Sequence, residues 1–187
     1  MRRLRGALVA VLALVPAMAA AQHSMENPKH ELGVDLGVLY SKPKGGDGVF
    51  SIGTPVDVRI GFVSGGKLEV EPRFVFNYAS GGGDNAYVFT PDINLLFGLS
   101  ADGNKKGPYL TVGAGVDLTH VKVSTALGSV SSSTSQFNFN GGIGTRVPYE
   151  SGAFRLEAFA RYLLKNTSKG LPNTLDIGAR IGLSLWH

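Results

Sequence analysis

From about Leu32 to His187 the sequence alternates between apolar and polar residues with a period of two. Successive side chains of a β-strand point to opposite faces of the sheet, so this period predicts strands with one apolar and one polar face. The segment Leu175–Leu185 shows it most clearly, because one phase is wholly apolar and the other carries Asp, Gly, Arg, Gly and Ser. Two architectures fit: a soluble barrel with an apolar interior, and a membrane barrel with an apolar exterior.

The placement of lysine favours the membrane barrel. Each of the nine lysines falls in a predicted loop, in a turn or near a strand end, whereas the mid-strand charges are Arg, Asp and Glu of mixed sign, interleaved with Gly. A water-facing barrel wall would normally carry Lys in mid-strand, and the mixture seen here suits a narrow, self-neutralising interior. The sequence therefore predicts an all-β protein, an eight-stranded antiparallel transmembrane β-barrel.

The predicted strands are segments of roughly 10–15 residues, long enough to cross the apolar layer when tilted. They are Glu31–Ser41, Phe50–Val63, Leu68–Ala79, Tyr87–Leu99, Pro108–Val123, Gln136–Val147, Ala153–Leu164 and Asn173–His187. Short turns alternate with longer connections, the longest being the Ser-rich loop Ser124–Ser135. Pro72 and Pro91 conflict with a closed sheet, because each lacks a donor N–H. We expect both near a strand start, accommodated by bulges or fraying.

The N-terminus predicts export. Arg2, Arg3 and Arg5 precede an apolar stretch and small-residue cleavage sites, so residues 1–21 are read as a signal peptide and 22–187 as the barrel domain. Its removal leaves 15 Lys and Arg against 14 Asp and Glu, so the basic character disappears and nucleic acid is not an expected partner. No cysteine is present, so stability must come from closure of the sheet and burial in lipid.

The chain resembles the small eight-stranded outer-membrane barrels of Gram-negative bacteria, the group that contains the OmpA transmembrane domain, OmpX and the opacity proteins. The resemblance rests on the eight alternating segments, on the segment Gly107–Val116 and on the last strand. It implies a location in the outer membrane, with lipid as the surroundings. It also implies recognition by the barrel-assembly machinery through a signal in that last strand, formed by Arg180, Gly182, Leu185 and His187. His187 departs from the aromatic residue that usually ends this signal.

The polar phase places fourteen charged residues inside the barrel. We interpret them as a charge-balanced core that plugs the lumen, and a gated proton or ion path is the alternative. They are Asp35, Asp57, Arg59, Glu69, Glu71, Arg73, Asp92, Asp117, Arg146, Arg155, Glu157, Arg161, Asp176 and Arg180.

Two other function classes remain as alternatives to a structural or surface-interaction role. A lipid-modifying enzyme would need a Ser–His pair, and His120 could face Ser124 or Ser135 near the membrane surface. A soluble lipocalin-like carrier would use the same strands turned inside out. We assign no catalytic, cofactor-binding or metal residue, because no motif with suitable spacing is found.

Overall fold

The computed structural model describes residues 30–187, except positions 65, 82–83, 102, 104 and 126–127. Eight antiparallel strands close into a barrel in the order of the sequence, each paired with its neighbours along the chain and the last with the first. The strands are β1 (His30–Pro43), β2 (Val49–Ser64), β3 (Leu68–Gly81), β4 (Asp84–Gly98), β5 (Gly107–Thr125), β6 (Gly128–Tyr149), β7 (Gly152–Leu163) and β8 (Thr174–Trp186).

Closure brings the two ends of the described chain together. β1 pairs with β8 from Glu31 opposite Trp186 to Pro43 opposite Thr174, and the backbones of His30 and His187 exchange hydrogen bonds of 3.0 and 2.9 Å. We call this end of the barrel, which also holds the turns after β2, β4 and β6, the termini end. The opposite end, with the connections after β1, β3, β5 and β7, is the loop end.

The two faces of the sheet have the polarity that the sequence predicts. Large apolar side chains such as Leu95, Val112 and Ile181 are exposed on the outer surface, where they meet lipid. Inside, the polar and charged side chains dominate, with a few apolar ones such as Leu96 and Phe159. The prediction of an eight-stranded antiparallel transmembrane barrel is confirmed. Among the described residues there is no helix long and apolar enough to cross a membrane.

The two prolines lie within strands without any register shift. At Pro72 the β2–β3 ladder has a gap, because the pair Arg59–Arg73 is followed by the pair Phe62–Val70. The β3–β4 ladder is continuous through the proline. Pro91 likewise interrupts only the β4–β5 ladder. The expectation of bulges or fraying near strand starts is wrong, since Pro91 lies in the middle of β4. Each strand has two neighbours, so a missing N–H removes pairs on one side only.

The predicted loop Ser124–Ser135 is also wrong. β5 and β6 stay paired as far as Thr125 opposite Gly128, so this Ser-rich stretch extends the β5–β6 hairpin beyond the end of the barrel. Low complexity suggested a loop, but main-chain pairing between two strands does not require apolar side chains. The predicted signal peptide, residues 1–21, lies outside the described residues.

The charged lumen and the loop end as candidate functional sites

All fourteen charged residues predicted for the interior are buried in the barrel, and each strand contributes at least one of them. A fifteenth, Glu31 at the start of β1, is buried as well. The described lumen therefore holds nine carboxylates and six guanidiniums, the latter being every arginine in this part of the chain. Arginine suits the interior because its planar fork binds several carboxylates at once.

Glu31 is the centre of the ion-pair cluster at the termini end, and the sequence prediction omitted it. Its carboxylate pairs with Arg59, with Arg146 at 2.7 Å and with Arg155 at 3.4 Å. It also accepts hydrogen bonds from Ser184 Oγ at 2.7 Å and Trp186 Nε1 at 3.2 Å. A signal was available, because Glu31 shares the polar phase of β1 with Gly33 and Asp35.

Two further carboxylates complete the termini-end cluster. Glu69 accepts two hydrogen bonds from Arg146, at 3.0 and 3.3 Å, in a bidentate pair. Glu71 pairs with Arg155 and, at 2.5 Å, with Arg73. Three acidic groups from two strands are thus joined to arginines from four strands, so the cluster connects the wall of the barrel across its lumen.

Arg180 and Tyr109 extend this network through the middle of the barrel. Arg180 bridges Glu157 and Asp57, the latter at 2.5 Å. The Tyr109 hydroxyl donates to Glu157 at 2.9 Å and accepts from Arg155 Nε at 3.1 Å. The guanidinium of Arg155 also lies 4.8 Å from the centre of the Tyr109 ring, within the range of a cation–π contact. Tyr109 was not among the residues predicted for the lumen, because that prediction included charged residues only.

Acidic groups outnumber arginines toward the loop end of the lumen. Arg161 pairs with Asp92 at 3.2 Å and lies 3.9 Å from Asp117. Asn138 joins the same two carboxylates with hydrogen bonds of 3.1 and 2.8 Å. Asp176 is buried nearby in β8, and one of its carboxylate oxygens has no hydrogen-bond partner among the described residues.

Glycine on the inner face makes room for these large side chains. A Cβ atom added to Gly33 would overlap the guanidinium of Arg59, and one added to Gly182 would overlap the carboxylate of Asp35. Arg59 and Asp35 are themselves paired, with Nε 2.8 Å from the carboxylate. The alternation of charge and glycine in the sequence is therefore a packing requirement of a narrow lumen.

Glu31, Glu69 and Glu71 bring carboxylate oxygens within 4.8 Å of one another, which is a spacing that could hold a metal ion. Each of the three, however, is already paired with at least one of Arg59, Arg146 and Arg155. The guanidiniums neutralise the carboxylates at close range and occupy the directions from which a cation would approach. The donor set fits an ion-pair network better than a metal centre.

His120 forms a Ser–His pair at the loop end, on the outer surface. Its Nδ1 lies 2.9 Å from Ser133 Oγ, and its ring stacks on Tyr87 with centroids 5.0 Å apart. The predicted partners Ser124 and Ser135 are not the ones that bond to it. Within the described residues no carboxylate contacts His120, so the third member of a hydrolytic triad is missing from this pair.

The exposed charges of the loop end are mainly positive. Lys42, Lys44, Lys122, Lys165 and Lys169 belong to this end, and the acidic residues of the same described part are Asp47 and Asp84. Asp84 accepts a hydrogen bond from the Ser124 backbone at 2.8 Å. A groove of about 430 Å³ lies on the outer side of the barrel here, with His120, Ser133 and Lys169 among its lining residues.

The residues of the predicted assembly signal are divided between the two faces of β8. Arg180 and Gly182 are buried in the lumen, Leu185 is half-exposed and His187 is exposed at the termini end. Trp186 lies on the lumen side, bonded to Glu31 as described above. The outward apolar positions of this strand are therefore Ile181, Leu183 and Leu185, ending in His187.

Solved structures of other small barrels are similar to this one. Ail, the attachment invasion locus protein of Yersinia pestis, matches with a TM-score of 0.61 at 12% identity, covering 85% of this chain and 98% of its own. Neisserial surface protein A matches with a TM-score of 0.60 at 9% identity, covering 85% and 97%. The N-terminal β-barrel domain of Pseudomonas aeruginosa OprF matches with a TM-score of 0.54 at 12% identity, covering 82% and 97%.

At these identities the likeness shows a shared fold. A second structure of Ail, with a TM-score of 0.57 at 13% identity over 83% of this chain and 96% of that one, contains the heparin analogue sucrose octasulfate. A search of curated proteins found no match. The sequence itself matches the outer membrane protein beta-barrel domain over residues 7–182, almost its whole length. The chain belongs to this family of outer-membrane barrels.

Proposed function

We propose that this protein is an outer-membrane barrel with a closed lumen, whose biological role is a surface interaction made by its loop end. Residues 1–21 act as the export signal and residues 22–187 form the barrel, with both termini on the periplasmic side. The observation that carries the proposal is the separation of charge. Every described arginine forms ion pairs in the lumen, whereas the lysines of the loop end are exposed and have few carboxylates beside them.

The partner that suits this display is a polyanion. Coulomb attraction between exposed charges falls off within a Debye length, so binding by the loop-end lysines should weaken with added salt. The heparin analogue bound by Ail, a barrel of the same fold, supports a polyanionic partner. The hydrogen-bonded pair of His120 and Ser133 has no acidic partner among the described residues, which makes a lipid-modifying enzyme the weaker candidate.

Adhesion of whole cells to a polyanion-coated surface tests this role. Cells displaying the protein should be retained on immobilised heparin or polyglutamate at low salt and released at high salt. A variant with Lys42, Lys44, Lys165 and Lys169 replaced by Gln should be retained several-fold less. A variant with Lys105 and Lys106 replaced by Gln is the matched control, because these two lie at the termini end. Equal retention of cells that lack the protein would contradict the proposal.

The closed lumen is tested by electrical recording in planar bilayers. Ion pairs between the opposite strands β3 and β7, such as Glu71–Arg155 and Arg73–Glu157, are expected to block a continuous water-filled path, so we expect no steady conductance from the wild-type protein. Arg73→Leu or Glu157→Leu should lower the free energy of unfolding without opening a pore. Large conductance in proportion to salt would favour a porin, and small proton-selective currents would favour the gated path.

The assembly signal stays part of the proposal. Leu185 and His187 on the outer face, with Arg180 and Gly182 on the inner one, are expected to be read by the barrel-assembly machinery. Replacing His187 by Phe should speed assembly into the outer membrane, followed by the change in gel mobility between boiled and unboiled samples. Replacing His187 by Asp should slow it, and equal rates for both variants would remove the role.

A further inference from the structure

One edge of β6 is open where the hairpin rises above the barrel. β6 pairs with β5 from Gly128 to Arg146, but its pairing with β7 begins only at Asn138 opposite Leu163. Just beyond, the Phe137 carbonyl accepts a hydrogen bond from the Leu164 N–H at 2.8 Å, and the Ser135 carbonyl accepts one from the Asn166 side chain at 2.8 Å. Between Ser129 and Thr134, no other described residue forms a backbone hydrogen bond to this edge.

The open edge presents a regular set of main-chain groups. Alternate residues of an antiparallel strand direct both N–H and C=O to the same side. Because the carbonyls of Phe137 and Ser135 point toward β7, those of Ser133, Ser131 and Ser129 point the same way. These three residues leave a row of donors and acceptors without strand partners, at the spacing of a β-ladder.

The edge lacks the devices that usually prevent strand addition. Exposed edges are commonly protected by lysine, by proline, by a bulge or by a covering loop. Residues 128–134 contain neither lysine nor proline, and no register shift occurs in the β5–β6 ladder. The side chains of Ser129 and Ser131 are small and exposed, so they do not obstruct an incoming strand.

A second copy in the same membrane does not suit this edge. Two copies related by a twofold axis along the membrane normal keep the same direction along that normal. Their β6 strands, tilted like those of other barrels, would cross or run parallel, with each residue opposite itself. In a parallel ladder, a residue that directs its N–H and C=O toward the partner strand lies opposite a residue that directs them away. In the twofold pair both residues would direct these groups toward each other, so identical edges cannot form a ladder in that way. The occupant must approach from the aqueous side.

The charges around the edge indicate what that occupant carries. Lys122 is exposed and lies directly opposite Ser131 in the β5–β6 ladder. Lys169 lines the groove that includes Ser133, and Lys165 lines a second groove of about 400 Å³ beside Ser135. Neither residues 118–136 nor residues 164–173 contain a carboxylate.

We infer that the open β6 edge binds an extended acidic segment of a partner protein as an added strand. Main-chain hydrogen bonds to Ser129, Ser131 and Ser133 would supply the register, and the lysines would select acidic side chains. The inference rests on the proposed surface interaction and names its partner class.

The test uses the full barrel in lipid nanodiscs and a defined peptide. The probe is a blocked ten-residue peptide that alternates glutamate with threonine or valine and contains no proline. Binding should slow amide hydrogen exchange at Ser129, Ser131 and Ser133 by about tenfold or more at saturation. The Ser132 amide, which points to β5, should be unaffected. A peptide that gives no protection at about 1 mM, the weak limit of specific binding, overturns the inference.

Two matched variants separate edge pairing from simple charge attraction. Ser131→Pro removes an N–H from the open edge and leaves the bonds to β5 intact, so it should weaken peptide binding by about tenfold. Ser131→Ala keeps the backbone and should bind like the wild type. If Ser131→Pro fails to show the mobility of a folded barrel, Ser129→Pro takes its place, nearer the tip.

The outcomes distinguish this inference from the proposed function. If Ser131→Pro binds as the wild type while Lys122→Gln with Lys169→Gln abolishes binding, the loop end is a general polyanion patch. The edge inference then fails and the proposed function stands. If cells displaying the wild-type protein show no salt-sensitive retention on polyanions, the proposed function fails whatever the peptide does.

Discussion

The lower and upper parts of β5 and β6 share one continuous ladder but differ in burial and in the number of neighbouring strands. Within the barrel, Tyr109 and Asp117 of β5 are buried in the lumen, while Val112 faces lipid. Above the barrel, Val123 and Val130 are both exposed, Val130 by 67%. The lower part has neighbours on both sides, and the upper part of β6 has one.

The difference shows which interactions hold this protein together. In the barrel, both faces are specified at each position, because one must satisfy lipid and the other must satisfy a crowded charged lumen. The upper hairpin depends mainly on main-chain pairing, with a hydrogen bond from the Ser124 N–H to Asp84 beside it, and two-stranded ribbons are marginally stable on their own. Substitutions should therefore have large effects below the rim and small effects above it, which leaves the upper hairpin free to serve binding.

Removal of the Glu31 carboxylate should have the largest effect. Glu31→Leu leaves Arg59, Arg146 and Arg155 with one shared acid fewer in a buried site. Uncompensated buried charge typically costs about 3–5 kcal/mol, and water entry would reduce this. Denaturant titration, followed by the fluorescence of Trp186 in the same cluster, measures the free energy of unfolding. Asp47→Leu, at an exposed position of the loop end, is the control and should stay within about 0.5 kcal/mol.

If both variants lost similar stability, the lumen network would be no more important than the surface. Substitutions in the barrel would then not cost more stability than substitutions outside it, and the contrast between the two regions would be wrong.

A charge placed on the lipid face should come next. Leu95 is exposed to lipid and its neighbour Asn94 is buried in the lumen. Leu95→Arg should destabilise the barrel by about 2–4 kcal/mol if the site lies near the bilayer midplane. Asn94→Ser should be mild, because neither polar atom of the Asn94 side chain has a hydrogen-bond partner among the described residues. Refolding into lipid vesicles at graded urea concentrations gives both values, and a reversed order would indicate that the faces are exchanged.

An added methyl group in the lumen should have a moderate effect. Gly33→Ala places a Cβ where the Arg59 guanidinium lies, so Arg59 must move away from Glu31 and Asp35. Overpacking of this kind typically costs about 1–3 kcal/mol. Gly46→Ala, in the exposed turn after β1, meets only ordinary contacts with Pro43 and is the control. Equal unfolding midpoints for the two variants would show that the lumen has spare room at Gly33.

Shortening the upper hairpin should have the smallest effect. Deleting residues 122–131 and joining Val121 to Ser132 through an Asn-Gly turn retains the pair Val121–Ser132. The described side chains that are removed are all exposed, so we expect the free energy of unfolding to change by less than about 1 kcal/mol. Peptide binding to the edge should disappear in the same variant. A loss as large as that of Leu95→Arg would show that the hairpin supports the barrel.

The face of the sheet on which each side chain lies could be predicted residue by residue. A period of two decides the face of each side chain, and the lysines decide which face meets lipid. The prolines at 72 and 91 could not be interpreted in the same way, because the sequence does not show that a strand with two neighbours can lose pairs on one side alone. The upper hairpin was missed for a related reason, since Ser-rich segments carry no alternation of polarity even when they pair.

What the sequence by itself determined is the class of architecture and the polarity of its two surfaces, because both follow from alternation along a single strand. It could not determine which charge meets which, since partners such as Glu31 and Arg155 are 124 residues apart and come together only when the barrel closes. Closure also placed Tyr109 among the arginines and left the β6 edge without a neighbour, because β7 ends lower than β6 begins. These features depend on relative strand lengths and register around the whole barrel, which only the tertiary structure decides.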